Sequence, residues 1–563
     1  MAKRLAITIA GAVSLGSYEA GVLYELMRAI RTHNEAALTV DKKIYVDVIT
    51  GASAGGMTAA MVSQRLMYDA ASLEGEFTNA LYQAWVENIS LMKLVKMRWS
   101  EKKWHSLFSS DLIDSIGREM LITSMERKGS GPHAAVEQIN GTPETLRVGL
   151  ALTNLNGIDY MIPIAGNDDD GFNYTTSVDQ LIFEVVVDGQ SNEAQWKRMC
   201  DASVGSGAFP AAFRPKAILR RVEEFGDRLP SDSSSWVEGK TYVKWLGTSP
   251  DKFAYSDGGV LQNQPLGIAK DLVDAAVKDR EARLGASTFC DGHDRLYVFV
   301  APHSVKSSAE RLHAQKITIL DELRQLINVY MRQAMFHDWI VAEGVNQQIR
   351  SLDERASGLA QVIVAGALDI GSLLRASRDL NAVLIPIKNQ EQKRLTRLQE
   401  QYSVEYDKVT KAVGSQAAEA FVSALATLEA AAHLESRDKM KIVAVIANPQ
   451  EELAGAGLSA FVGFFKKSFR QHDYWVGRKK TRKYLKRTDV KTILEVTKWP
   501  EEDEWEPELS NLSGVTLPLS NFQIIRAAIV PTIIMVLIRP VLLLTLVLVT
   551  CGFYFGLWYL LHR

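Results

Sequence analysis

The feature that most constrains this 563-residue chain is a theme stated twice near its start. Residues 5–9 are a short apolar run that breaks into a loop of small residues, and apolar residues at helical spacing follow over positions 20–30. Residues 44–50, rich in β-branched side chains, run into Gly51-Ala52-Ser53-Ala54-Gly55-Gly56, and from Met57 onward the helical spacing returns. Strand, loop and helix in succession, twice over, predict an α/β fold with a mostly parallel sheet covered by helices.

Strand-like runs recur at 146–152, 160–164, 181–187 and 295–300, so the α/β core is expected to occupy residues 1–305. Residues 60–130 read as helical, with Trp99 and Trp104 among several lysines, as either a lid or lipid-facing surface or a plain solvated face. Residues 306–440 carry helical periodicity and strong helix formers, which predicts a large, mainly helical insertion or second domain. Residues 441–498 begin with the compact run KIVAVI, a candidate further strand, and continue as a basic helical region. An acidic, proline-containing stretch then marks 499–523 as a linker.

Residues 524–563 are expected to form a membrane segment. Positions 541–561 hold 21 residues without a charge, enough as a helix to cross a hydrocarbon layer of roughly 30 Å. The preceding apolar stretch carries Arg526 and Pro531, and reads as an interfacial helix or the first arm of a hairpin. A buried helical hairpin is the alternative. The first sixteen residues have the outline of a secretory signal, but the apolar run is short and the loop after it reads as part of the working protein. The main domain is therefore expected on the cytoplasmic side of a membrane. Three scattered cysteines, Cys200, Cys290 and Cys551, form neither a disulfide framework nor a metal pattern, which fits a reducing compartment.

A formal net charge of −2 excludes global electrostatic attraction to nucleic acid, so charge arguments rest on local clusters. Between Lys466 and Arg487 there are ten Lys or Arg residues and one acidic residue, interleaved with Phe469, Tyr474, Trp475 and Tyr484. Ahead of a membrane span, such a patch would attract anionic headgroups, at about 1 kcal/mol per basic residue near the surface. A solvated helical face without a partner is the alternative; no nucleic-acid-binding module accompanies the patch.

Three local patterns carry chemistry. Gly51-Ala52-Ser53-Ala54-Gly55 is a G-x-S-x-G between a predicted strand and a predicted helix, the context in which a serine is held on a tight turn as a nucleophile. Gly51 and Gly55 give the elbow room, and the helix N-terminus favours the negative charge that develops on attack. Residues 11–21, GAVSLGSYEAG, follow the first strand and fit neither GxxxxGK[ST] nor GxGxxG; main-chain N–H groups there can form an oxyanion hole. Asp257, followed by Gly258 and Gly259, presents an uncrowded carboxylate able to accept a proton, although Asp-Gly is by itself usually a turn. There is no HExxH pair among the ten histidines, and neither a metal nor another cofactor is expected.

These three elements in this order, with ASVGSGAFPAAFRP at 202–215, resemble the patatin-like phospholipase family over about residues 4–270. The resemblance implies a three-layer α/β core and a Ser-Asp dyad, with Ser53 acylated and Asp257 taking and returning the proton. It also implies oxyanion donors from Gly11, Ala12 and Val13, to which Ala54 N–H is a reasonable addition. Membrane lipids would be both substrate and anchor. The loop departs from the family's GGGxRG, with Ala12 and Val13 at glycine positions and Leu15 in place of Arg. The run from His472 to Arg478, HDYWVGR, resembles a segment of longer bacterial members, and His472 reads as structural. Two alternatives stay open: a catalytically inactive membrane scaffold of the same fold, and a Ser-His-Asp esterase drawing on His293 or His303.

Overall fold

The computed structural model describes residues 2–95, 106, 108–123, 129–139, 141–163, 171–186, 193–210, 212–228, 241–245, 249–284, 295–302, 319–384, 388–432, 440–448, 452–456, 460–496, 498–501 and 505–507. Among them nine strands form one sheet: β1 (Lys3–Ile9), β2 (Ile44–Gly51), β3 (Leu146–Ile162), β4 (Phe172–Val185), β5 (Lys216–Arg220), β6 (Tyr242–Val243), β7 (Asp251–Asp257), β8 (Arg295–Ala301) and β9 (Ile442–Ile446). The order is β9-β8-β1-β2-β3-β7-β5, with β4 and β6 also paired to β3. From β9 to β3 every neighbour is parallel, whereas β4, β6 and β7 run antiparallel to β3, and β5 antiparallel to β7.

The buried strands alternate in the expected way. Leu5, Ile7 and Ile9 of β1 join one hydrophobic cluster, and Ala6 joins another on the opposite face. The first face is covered by α1 (Gly16–Ala36), α2 (Ala54–Tyr68), α3 (Glu193–Ser206) and, from far along the chain, a basic helix at Lys467–Leu485. The second face takes α4 (Leu266–Leu284) and Ala342 of the long α5 (Ile319–Val364). Helix, sheet and helix make three layers.

Beyond the sheet, α5 continues into α6 (Ile370–Leu384), α7 (Lys388–Gln401), α8 (Ser403–Ala412) and α9 (Ser415–Ala431), which bury a core of their own around Ala360, Leu398, Tyr402, Phe421 and Leu425. The chain then returns to the sheet as β9, beside β8.

The basic helix α10 (Lys467–Leu485) differs from a uniform charged surface. It crosses α1 at very short range: a Cβ on Gly21 would stand 2.0 Å from the Tyr474 carbonyl oxygen, and one on Gly477 would stand 2.2 Å from that of Tyr18. Only glycine allows two helix backbones so close. Arg478, 1% exposed, donates to Glu25 and Glu76, and Arg482 donates to Glu25. Lys480 pairs with Glu452, and Lys479 and Arg487 lie over the rings of Trp475 and Tyr484. Part of the basic cluster is thus spent on holding α10 to the core. Composition shows the charges but not which side of the helix they occupy.

Positions 508–563, which include the expected membrane segment, lie outside the described residues, as do Trp99, Trp104, His293 and His303. Among the described residues no helix is long and apolar enough to cross a membrane.

A buried ion pair ties the parallel half together. Arg295 of β8 donates to both carboxylate oxygens of Asp47 in β2, at 2.7 and 2.8 Å, across the intervening β1. Burial pushes the Asp47 carboxyl up, but Arg295, with Arg4 and Arg280, overrides it and holds the pKa at about 2. Removing one partner leaves a buried cation uncompensated. Asp47→Ala is expected to cost about 3–5 kcal/mol in chemical denaturation; a loss below about 1 kcal/mol would show that the pair does not hold the strands.

Candidate active site

The long strand β3 brings the candidate residues together. One of its edges is filled by β4, through pairs that run from Leu146↔Val185 to Thr153↔Val178. Its other edge takes β2 as far as Gly51↔Leu150 and then β7 from Leu152↔Asp257. Because β2 is parallel to β3 and β7 antiparallel, their C-terminal ends point at each other along that edge. Ser53 lies two residues past Gly51, and Asp257 is the last residue of β7. The register therefore delivers a hydroxyl and a carboxylate to one spot from positions 204 residues apart.

There Ser53 Oγ donates to Asp257 Oδ2 at 2.5 Å. Both residues are buried, at 5% and 2% exposure. Ser53 has φ 54° and ψ −128°, a conformation rare for a side chain other than glycine, and it caps α2. The turn is possible because its neighbours are small: a Cβ on Gly51 would meet the Gly55 carbonyl oxygen at 2.3 Å. Such a sharp strand-to-helix turn is the geometry of a nucleophile elbow.

Further groups fix the pair. Ser53 N–H donates to Ser206 Oγ at 3.0 Å, and Ser206 Oγ in turn donates to the Ala151 carbonyl of β3 at 2.7 Å. Asp257 Oδ1 accepts from Gly259 N–H at 2.7 Å, and the Asp257 carbonyl accepts from Thr153 Oγ1 at 2.8 Å. Ser206 sits in the small-residue run at 202–215, which was legible as a motif. Its contact with the elbow was not legible, since a serine among glycines and alanines carries no mark of its partner.

The Asp257 carboxyl is pushed up from its ordinary 3.8 to about 7. Burial is the dominant cause, and the hydrogen bonds from Ser53 and Gly259 N–H only partly offset it. A carboxylate so placed is a base matched to neutral pH.

The loop after β1 requires a correction at one position. Gly11 N–H donates to the Asn263 carbonyl oxygen at 3.0 Å, so it is already engaged and does not serve as a free oxyanion donor. No hydrogen bond from the N–H of Ala12, Val13 or Ala54 is found among the described residues. Gly11 is needed for space instead: a Cβ there would stand 3.0 Å from Ser53 Cβ and 2.0 Å from Asn263 Oδ1. Val13, at a position where the family has glycine, takes φ 52°, so the loop keeps a glycine-like turn with a β-branched residue in it. Leu15 is fully buried, packing where the family carries an arginine.

Ser53, Ala54 and Val13 open on a narrow cavity of about 30 Å³, whose other walls include Met57, Trp85, Phe209, Phe213 and Phe464. The walls are almost wholly apolar. His472 is remote from this chemistry: it is buried on α10, with Nε2 against the Glu452 carbonyl oxygen.

Residues 7–270 match the family model described as patatin-like phospholipase. An uncharacterized protein, y4iI, of Sinorhizobium fredii is 22% identical over 329 residues, which cover 46% of this chain and 44% of that protein. The chain therefore spans under half the length of the curated relative it matches.

Asp257 also links stability to pH. With its folded pKa raised, the folded chain holds a proton that the unfolded chain has released, so this group's contribution is full below about pH 4 and is lost as pH rises to about 7. Raising the carboxyl from 3.8 to about 7 corresponds to on the order of 4 kcal/mol. Asp257→Asn abolishes that penalty, and its melting temperature is expected to exceed that of the wild type at pH 8, with the gap narrowing as pH falls and closing only below about pH 4. A constant gap across this range would contradict the buried-carboxylate assignment.

Proposed function

We propose that this chain, whose residues 7–270 match the patatin-like phospholipase family, is a serine-dependent lipid acyl hydrolase that works through a Ser53–Asp257 dyad. The single observation that carries the reading is the 2.5 Å hydrogen bond from Ser53 Oγ to Asp257 Oδ2 at the floor of an apolar cavity.

In this reading Asp257 takes the Ser53 proton as Oγ attacks the ester carbonyl carbon. The carbonyl oxygen becomes an oxyanion, and the N–H groups of Ala12, Val13 and Ala54 are the donors available to it. The tetrahedral intermediate collapses, the C–O bond to the alcohol breaks, and Asp257 returns the proton to the leaving oxygen. Water then gives its proton to Asp257 and attacks the acyl carbon; the bond from that carbon to Ser53 Oγ breaks, Asp257 returns the proton to Oγ, and the fatty acid leaves. Ser206 takes no proton; it holds the elbow's main chain. No histidine is required, since burial alone gives the carboxylate a basicity suited to neutral pH.

The membrane assignment belongs to the same proposal. A lipid ester is presented at a membrane surface, and residues 541–561 have the length and apolarity of an anchor. We place the catalytic domain on the cytoplasmic side, with the exposed basic residues of α10 facing anionic headgroups.

Two experiments test the reading. Purified wild type is expected to hydrolyse acyl esters, Ser53→Ala to fall to background, and Asp257→Asn to lose about 10²–10⁴-fold in kcat/KM while remaining folded; equal rates in all three would remove the mechanism. Deleting residues 524–563 is expected to move the protein from the membrane to the soluble fraction, and unchanged membrane association would place the anchor elsewhere.

A further inference from the structure

The cavity over Ser53 is not built by residues 7–270 alone. Phe464, 4% exposed, is one of its walls and lies nearly two hundred residues beyond the end of the family match. Phe461 packs edge-on against Phe209 at 5.5 Å and against Phe464 at 5.9 Å, so this late segment joins the aromatic wall contributed by the first domain.

Two sets of contacts fix Phe464 in place. The first is to the loop after β1. Ser14 Oγ donates to the Ala460 carbonyl, and Gly463 lies so near that a Cβ on it would stand 2.5 Å from Ser14 Oγ. The second is Arg470 of α10, which is 3% exposed. Its Nη1 donates to the carbonyl oxygens of Gly463 and Phe464 at 2.9 and 3.4 Å, while Nε and Nη2 donate to that of Val86 at 3.0 and 2.9 Å. Val86 follows Trp85, which is another wall of the cavity. Among the described residues, every hydrogen bond Arg470 makes goes to a main-chain carbonyl of the two segments that carry Trp85 and Phe464. A buried guanidinium is costly unless its donors are satisfied. Its planar fork satisfies them here by clamping one wall to the other.

We propose that Phe464, clamped by Arg470, is the end wall of an acyl-chain pocket and sets the longest acyl group that Ser53 can reach. The inference rests on the acyl-hydrolase reading above and adds the substrate dimension to it: the C-terminal region outside the matched domain determines chain-length preference. Phe464 is a specificity-determining residue and Arg470 a positioning residue. Each methylene that gains or loses a seat changes kcat/KM by roughly fourfold, from about 0.8 kcal/mol per buried CH₂.

The test uses the full-length protein in a fixed detergent concentration with p-nitrophenyl butanoate, octanoate, dodecanoate and hexadecanoate. Active fractions are titrated with a fluorophosphonate to normalise the rates. Phe464→Ala is expected to raise the dodecanoate-to-butanoate ratio of kcat/KM by about tenfold or more, the sum of two or more new methylene seats. Phe464→Trp is expected to lower the ratio, and Arg470→Lys to flatten the profile by releasing the wall. A merely destabilised protein would not move the ratio in opposite directions for the two Phe464 variants, and the Trp variant carries the test if the Ala variant fails to fold. Unchanged ratios in active Phe464 variants would overturn the proposal and leave the hydrolase reading standing. Failure of the wild type to exceed Ser53→Ala on every ester would overturn that reading and this proposal with it.

Discussion

The arrangement at the centre of this protein depends on one hydrogen bond, between an alcohol and a carboxylate that the chain separates by 204 positions. The bond is a consequence of sheet register. β2 and β7 meet head to head along one edge of β3, so the residue just past one strand faces the last residue of the other. A slip of one residue in either pairing would turn a side chain to the other face and separate the two groups. The Asp47–Arg295 pair, the Thr153 contact to the Asp257 carbonyl and the Ser206 bridge to β3 all reinforce the strands or the elbow that set this register.

Burial gives the bond its chemical character. Among the described residues no cation is supplied to Asp257, so burial destabilises the carboxylate and its proton affinity rises towards neutrality. The cost falls on folding, and the left-handed turn at Ser53 adds a further strain of about 1–3 kcal/mol. A site of this kind needs a rigid surround, and the surround here includes the C-terminal region. α10 lies against α1 through Gly21 and Gly477, and its Arg470 ties together two segments of the cavity wall.

Much of this was legible in the sequence because the signals are local. The β-branched run before Ser53, the small residues around it and the Asp-Gly-Gly after an apolar run each reflect a nearby steric demand. Other parts were hidden for physical reasons. β3 reads as two separate runs, at 146–152 and 160–164, because polar residues and Gly157 interrupt it, yet it is one strand with an irregularity between Thr153 and Ile158. β5 escapes notice because its pattern is short and half exposed. The engagement of Gly11 N–H by Asn263 and the inward turn of Arg470, Arg478 and Arg482 are tertiary facts. A lysine or arginine has the same letter whether it faces a membrane, water or a buried carbonyl.

In the proposed mechanism Asp257 is the base that activates Ser53. The most direct measurement is the pH dependence of Ser53 modification by a fluorophosphonate, read by intact mass, since it isolates attack by Oγ from substrate binding and deacylation. With Asp257 as the base, the second-order rate constant is expected to rise with pH to a plateau with its midpoint near 7, and Asp257→Asn to give a slow, flat profile. A wild-type profile that the Asp257→Asn variant reproduces would contradict it.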